Sequence, residues 1–352
     1  MNAAQPIAQP ASGARAGGPL AVRALRACGW LADGDEPSAV NVLCRAHTVA
    51  RVTAPDGRAA IVKHPTTGAG DGRDLARELF VYRLGGWKRG LGAVMPQPIL
   101  IDEARQLLAV EYVGDVTSAW PQAFAATPLR TPEVAARLGR AMSAWHRDTL
   151  EVSLPPSPSP GILGVGDDVE AATEGRRPGV THFLRYVVAD PDFARVLAEA
   201  KALHAPSCLV HGDIRGDNWA LGDGLKLIDW EMAGAGDPAW DVAGALAEMA
   251  IQEIRDGDGA EPGRSGWPRA VERLAPALDY EPTGELEALR ARLLPFTVAR
   301  LLHVASEWVD AAESFASPGD FVATGAAPII AAARGLIHAR EVVPGHPARW
   351  NG

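Results

Sequence analysis

The sequence predicts an α+β fold in two lobes, a small antiparallel sheet lobe with one helix followed by a larger, mainly helical lobe. Three observations carry this. Between Val40 and Gly114, short apolar and β-branched runs alternate with turn residues. After Gly114 the apolar residues recur mostly at helical spacing. The length of 352 residues favours about two compact parts rather than one core.

The elements follow in order. Residues 1–37 read as a flexible tail, to about residue 19, and one short amphipathic helix over Leu20 to Leu31, broken by Gly34 and Pro37. Residues 38–113 form the sheet lobe. Its clearest piece is VARVTAPDGRAAIVK, two β-rich runs around Pro55, Asp56 and Gly57, which signals a hairpin. A helix is expected over Gly72 to Leu84, where Leu75, Leu79 and Tyr82 share a side, and MPQPILID and RQLLAVEYVG supply two more strands. The remainder, 114–352, is the helical lobe. It opens on Thr131 as N-cap, Pro132 at the first helical position and Glu133 in the first turn, and runs to about His146. Residues 152–180 hold Pro155, Pro156, Pro158 and Pro160, too many for regular structure, and read as an insert. Further helices are expected over Pro191 to His204, Ala239 to Ile254, Gly284 to Phe315 with a kink at Pro295, and Pro328 to Arg340.

Composition narrows the function. With 47% hydrophobic and 22% charged residues the chain is of ordinary globular type. A formal net charge of -9 argues against a nucleic-acid partner, since tracking phosphates needs clustered cations. Cys28, Cys44 and Cys208 have no CxxC spacing, so neither a disulfide framework nor a zinc site is expected, and Cys44 and Cys208 read as buried small apolar residues. No signal peptide or membrane span is evident, so a cytoplasmic location and no membrane partner are expected. Of the 34 basic residues only Lys63, Lys88, Lys201 and Lys226 are lysines. A lysine closing an apolar strand therefore stands out in a chain that otherwise uses arginine.

The informative stretch is Cys208 to Leu246, CLVHGDIRGDNWALGDGLKLIDWEMAGAGDPAWDVAGAL. It holds His211, Gly212 and Asp213, then Asn218 five positions after the aspartate, then Asp229 eleven after the asparagine. Asp223-Gly224 is a two-residue hairpin signal, and counting outward from it sets Asn218 opposite Asp229. Residues opposed on a ladder have Cβ atoms about 4.5 to 5.5 Å apart on one face, so an amide oxygen and a carboxylate are expected to converge. Two such donors, with Asp213 just upstream, suit a hard cation such as Mg2+, which takes few protein ligands and fills its shell with water and phosphate oxygens. That is the chemistry of a nucleotide-dependent phosphotransferase, in which a carboxylate takes the acceptor hydroxyl's proton late in the reaction. Asp213 is the candidate for it.

These residues resemble the aminoglycoside phosphotransferase and choline kinase family, which has a two-lobed protein-kinase-like fold. The family's His-Gly-Asp, four residues, then Asn is matched by His211, Gly212, Asp213 and Asn218. Its metal-binding aspartate, in a setting like Ile-Asp-Trp-Glu, is matched by Asp229, and its Gly-Asp-Pro with a downstream aspartate by Gly236, Asp237, Pro238 and Asp241. The resemblance implies ATP and Mg2+, with Asn218 and Asp229 on the metal, a structural His211, and Asp241 bracing the catalytic loop through backbone hydrogen bonds. It also implies that Lys63, closing the strand AAIVK, pairs the phosphates, and that Glu78 on the next helix is that lysine's ion-pair partner. Glu111, Tyr112 and Val113 resemble the linker whose backbone receives the adenine, and Trp145-His146 resembles the family's helix-ending Leu-His. The likeness spans roughly residues 38 to 315.

Two features depart from the family pattern. No glycine-rich phosphate loop precedes the first hairpin, where Asn41 marks its expected position. The insert carries Asp167, Asp168, Glu170 and Glu174, read as a solvated loop or as a lid that recognises a cation. The expected activity is therefore ATP-dependent phosphorylation of a hydroxyl on a natural product or other small molecule. One alternative is a Ser/Thr kinase acting on a precursor peptide beside a partner lyase; another is a nucleotide-binding pseudokinase scaffold.

Overall fold

A computed structural model describes residues 14–44, 47–65, 73–114, 132–158, 160–221, 224–256, 279–281, 286–311 and 325–342. The chain divides into two units, one of Met1–Asp115 with Ala220–Glu231, the other of Val116–Trp219 with Met232–Gly352. The single boundary expected near residue 113 does not include the short return of Ala220–Glu231 to the first unit.

In the first unit, α1 (Ala14–Ala27) leads into a sheet of β1 (Ala39–Cys44), β2 (His47–Thr53), β3 (Ala59–Pro65), β4 (Pro98–Asp102) and β5 (Leu107–Glu111). Their order is β1-β2-β3-β5-β4 with every pair antiparallel. The β2–β3 hairpin closes as its turn residues predict, with Thr53 opposite Ala59. Helix α1 begins at Ala14, well before Leu20, and so contains Pro19. Packing explains the early start: Gly17 and Gly18 lie against the sheet, where a Cβ on Gly17 would come within 2.5 Å of the Thr48 side chain. The core under this helix joins Ala21, Leu25 and Leu31 to Ala50, Val52, Ala60 and Val62. Helix α2 (Arg73–Gly85) fits the expectation, and the short α3 (Arg89–Val94), unforeseen, follows it. Asn41 lies inside β1 opposite Arg51, so it does not mark a loop; Arg45 and Ala46 lie outside the described residues.

The second unit is mainly helical: α4 (Pro132–Asp148), α5 (Gly161–Gly164), α6 (Val169–Thr173), α7 (Pro178–Ala189), α8 (Pro191–Leu203), α9 (Pro238–Asp256), α10 (Leu286–Ala311) and α11 (Ala326–Val342). Thr131 lies outside the described residues. The strands β6 (Cys208–Val210) and β9 (Gly234–Gly236) pair antiparallel. Between them in the chain, β7 (Trp219–Leu221) and β8 (Leu225–Leu227) form a two-stranded ribbon that, from Ala220 on, belongs to the first unit; Asp223 of the predicted Asp223-Gly224 turn lies outside the described residues. Helix α10 passes through Pro295 as one element. No helix of the described residues is long and apolar enough to cross a membrane.

The proline-rich insert is more ordered than its composition suggests. Its prolines dock on β9: Ser157 N donates to Ala235 O at 2.9 Å, and Ala235 N to Pro155 O at 2.8 Å. Gly234 permits this, since any Cβ there would run into the Pro155–Ser157 backbone. Three of its acidic side chains are engaged within the unit itself. Asp167 pairs with Lys201, Asp168 caps α6 through Ala171 N, and Glu170 holds Arg185 at 2.8 Å. Among the described residues no group of three or more His, Cys, Asp or Glu is placed to hold a metal ion.

Asp190 shows what a local rule contributes here. It caps α8 by accepting from Asp192 N and Phe193 N, with Pro191 at the first helical position, and it receives Arg334 of α11 at 2.6 Å. Burial favours its neutral form, but Arg334 and the two amides outweigh that and lower its pKa. The stability it contributes is therefore present above the ordinary carboxylate range, about pH 4, and lost as pH falls through its lowered value. Asp190→Ala is expected to lower stability by about 1 to 2 kcal/mol near neutral pH, read from urea midpoints, with the gap to the parent closing in acid.

Candidate active site

The first unit supplies a lysine between two carboxylates. Lys63 occupies β3, the strand flanked by β2 and β5, opposite Val49 and Leu108. Alternation buries Ala60 and Val62 on one face and sends Lys63 to the other. Its Nζ lies 2.9 and 3.0 Å from the Glu78 oxygens on α2 and 2.7 Å from Asp229 Oδ1. Glu78 is 1% exposed at its side chain and Lys63 14%. Burial works against the ammonium's charge, yet the attraction of Glu78 and Asp229 exceeds it, and the pKa of Lys63 is raised.

Asp229 follows β8 with φ at 65°, a left-handed conformation that few non-glycine residues adopt. Such strain persists only where surroundings hold it. Here Trp230, fully buried, donates from its indole nitrogen to Leu227 O at 3.0 Å, and Asp229 itself is tied to Lys63.

At the end of β5, Glu111 accepts from Gln97 N at 2.9 Å, and Tyr112 N donates to Ala59 O at 3.0 Å. The Arg51 guanidinium lies 3.9 Å from the Tyr112 ring centre and donates to its hydroxyl at 3.1 Å. The backbone groups of Val113 have no hydrogen-bond partner among the described residues.

The second unit holds the loop after β6. Asp241, at the start of α9 and 1% exposed, accepts from His211 N at 2.7 Å through Oδ2 and from Gly212 N at 2.9 Å through Oδ1. Its Oδ2 also meets His146 Nε2 at 3.2 Å, and His146 Nδ1 meets the Tyr280 hydroxyl at 2.9 Å, so the end of α4 is locked to the same carboxylate. The loop turns at Gly212, φ 82°, where a Cβ would sit 2.7 Å from Met232 O. Only glycine satisfies both demands. His211 is fully buried, and its Nδ1 accepts from Asp213 N at 3.3 Å, an arrangement that shapes the turn.

Each oxygen of the Asp213 carboxylate has its own donor. Asn218 Nδ2 donates to Oδ2 at 3.1 Å and to Asp213 O at 2.9 Å, while Arg300 of α10 donates to Oδ1 at 3.2 Å. Burial alone would favour the neutral acid; the guanidinium groups of Arg215 and Arg300 reverse this and lower the pKa of Asp213 to about 2. The group is an anion throughout the physiological range, with 22% of its side chain exposed. Because Asn218 uses Nδ2 for both bonds, its Oδ1 is the atom left to act as a ligand. Arg215 is held elsewhere, at 2.6 Å from Asp217 and 3.0 Å from Glu307.

The ladder geometry expected of Asn218 and Asp229 is not the one built. Asn218 ends a 3-10 turn over Gly216–Asn218, and Asp229 stands beyond β8, so neither is a strand residue. Each flanking strand is only three residues long, and the pairing stops before either is reached. Sequence reasoning also overlooked Arg300 and Glu307. Glu307 lies 92 positions from Arg215 and Arg300 lies 87 from Asp213, so no local spacing reveals them.

Comparison with known proteins gives the family and the fold. Residues 45–273 match the family described as phosphotransferase enzyme family. Among solved structures, a choline/ethanolamine kinase family protein from Mesorhizobium loti is 18% identical, with 86% of this chain and 90% of that chain covered and a TM-score of 0.52. An amicoumacin kinase in complex with AMP-PNP, Ca2+ and Ami is 15% identical, covering 93% of this chain and 96% of that one, with a TM-score of 0.58. An ethanolamine kinase from Plasmodium vivax is 12% identical over 88% of this chain and 84% of its own, at 0.53. At these identities the likeness is one of fold. No curated protein sequence matches the chain.

Proposed function

The chain belongs to the phosphotransferase enzyme family, and from that premise we propose that it is an ATP-dependent O-phosphotransferase acting on a hydroxyl of a natural product or other small molecule. The observation that carries this reading is the Asp213 carboxylate, kept ionised by Arg215 and Arg300, gripped at both oxygens and still partly exposed. In the proposed reaction the acceptor oxygen forms a bond to the γ-phosphorus as the bond to the β-phosphate bridging oxygen breaks, and ADP leaves. The hydroxyl proton passes to Asp213. A carboxylate with so low a pKa is a weak base toward a free alcohol; it suits a reaction in which the proton moves late, once the oxygen has become acidic by bonding to phosphorus.

Lys63 would pair the nucleotide phosphates, with Glu78 fixing its position. The backbone of Val113, with Glu111 before it, would meet the adenine edge. Asn218 through Oδ1 and Asp229 through its carboxylate are hard oxygen donors of the kind Mg2+ takes, and the ion when bound supplies charge neutralisation on the phosphates. Support for nucleotide and dication comes from the amicoumacin kinase, solved with AMP-PNP and Ca2+.

The test is nucleotide turnover by the whole chain with Mg2+, using ATP or GTP against aminoglycosides, choline-like amines and hydroxylated peptides. Stimulation of ADP release by one class, with a phosphate mass added to that acceptor, is the expected result. Phosphate on a peptide serine or threonine would move the assignment to a precursor-peptide kinase. Nucleotide binding with no acceptor phosphorylated would favour a scaffold.

A further inference from the structure

We propose that Arg300 is a positioning residue for the catalytic carboxylate: from α10 it clamps one oxygen of Asp213 while Asn218 clamps the other, fixing the plane in which the carboxylate meets the acceptor hydroxyl. This rests on the reading of Asp213 as the proton acceptor. Arg300 is 3% exposed at its side chain, and its Nη2 lies 3.2 Å from Asp213 Oδ1 and 3.4 Å from Ile214 O. The same nitrogen thus ties the side chain of Asp213 to the backbone of the next residue.

A buried arginine placed for stability alone is expected to satisfy its donors. Arg300 does not: its Nε is buried with no hydrogen-bond partner among the described residues. The surroundings nevertheless make room for it. Its guanidinium carbon stands 5.2 Å from the ring centre of Trp240, whose own indole nitrogen donates to Gly212 O at 3.0 Å. Gly244 on α9 faces it, and a Cβ there would come within 3.5 Å of Nε and 3.1 Å of Ile214 O. Trp240 and Gly244 therefore seat the arginine against the loop that carries Asp213.

Arg215 is the nearer arginine in sequence but does not take this role. Its Nη1 is 3.9 Å from Asp213 Oδ2, beyond hydrogen-bond range, and its stronger contacts are to Asp217 and Glu307. With Asn218 on Oδ2 alone, the carboxylate would be free to rotate about its bond to Cβ. The donor on Oδ1 removes that freedom. A small misplacement of a reacting group costs on the order of 10²-fold in rate, which sets the expected size of the effect.

The test measures ATP turnover with Mg2+ and whichever of an aminoglycoside, choline or a hydroxylated peptide the enzyme uses best. Arg300→Ala is expected to lower kcat by about 10²-fold with the KM for ATP within about twofold, and added guanidinium ion to restore part of the rate. Introduced into Asp213→Asn, the same substitution should cost nothing more, because its effect passes through that carboxylate. Should Arg300→Ala fail to fold, Arg300→Met, which keeps volume without charge, is expected to show the same loss of kcat at a parental melting temperature. Full kcat in a folded Arg300 variant beside an inactive Asp213→Asn would overturn the proposal alone, as would a further loss in the double variant. Parental turnover by Asp213→Asn would overturn the base assignment and this proposal with it.

Discussion

Asp213→Asn is expected to lower turnover by about 10²- to 10⁴-fold while nucleotide affinity changes little. The amide has nearly the shape of the carboxylate but no basic oxygen, so the acceptor's proton has nowhere to go. The substitution also disturbs the loop. Both oxygens of Asp213 accept from donors, Asn218 on one side and Arg300 on the other, and an amide can offer only one acceptor to the two. Its NH2 must face a donor, and Arg300 remains buried with its charge less well matched. Unpairing such a donor costs about 1 to 3 kcal/mol, so a lower melting temperature should accompany the rate loss. Turnover assays and calorimetric titration with a non-hydrolysed nucleotide separate the two effects. A variant that binds nucleotide normally and keeps its turnover would show that Asp213 is not the proton acceptor.

What the sequence reveals divides by distance along the chain. The β2–β3 hairpin is legible because Pro55, Asp56 and Gly57 encode their own turn. The helix after it is legible because Leu75 and Leu79 mark its buried face, and both are fully buried. The loop of His211 to Asn218 is legible as a contiguous string of side chains with definite chemistry. The structure adds how that string is held, with Asp241 taking the amide protons of His211 and Gly212. Where packing decides, the sequence misleads. Helix α1 extends past a proline because two glycines fit it against a sheet, and the insert's prolines, poor in local signals, are fixed by an edge offered by β9. Helices α5 and α6 lie inside the insert, and α7 starts at its end, after Gly175 and with Pro178 as its first residue. Arg300 belongs to the same class: within α10 it is one more arginine on a long helix, and only the tertiary fold brings it to Asp213.

The second large effect is expected at Lys63. Lys63→Met removes the cation that Glu78, 1% exposed, and Asp229 both face. An ion pair at such a site is not itself a strong source of stability, because taking both charges out of water costs nearly as much as their attraction returns. Breaking one side is different. It leaves the Glu78 carboxylate buried without its partner, a loss of about 3 to 5 kcal/mol in comparable cases. Asp229, with 40% of its side chain exposed, can turn to solvent and should add little. The first unit of Lys63→Met is therefore expected to melt well below the parent, and phosphoryl transfer to be lost, since the proposed phosphate-pairing cation is gone. The double variant Lys63→Met, Glu78→Leu discriminates between these causes. Replacing the stranded carboxylate with an apolar side chain should recover most of the melting temperature and none of the activity. If the single variant melts like the parent, the pairing of Lys63 with Glu78 adds nothing to folding stability. If the double variant regains turnover, another cation serves the phosphates and the role assigned to Lys63 falls.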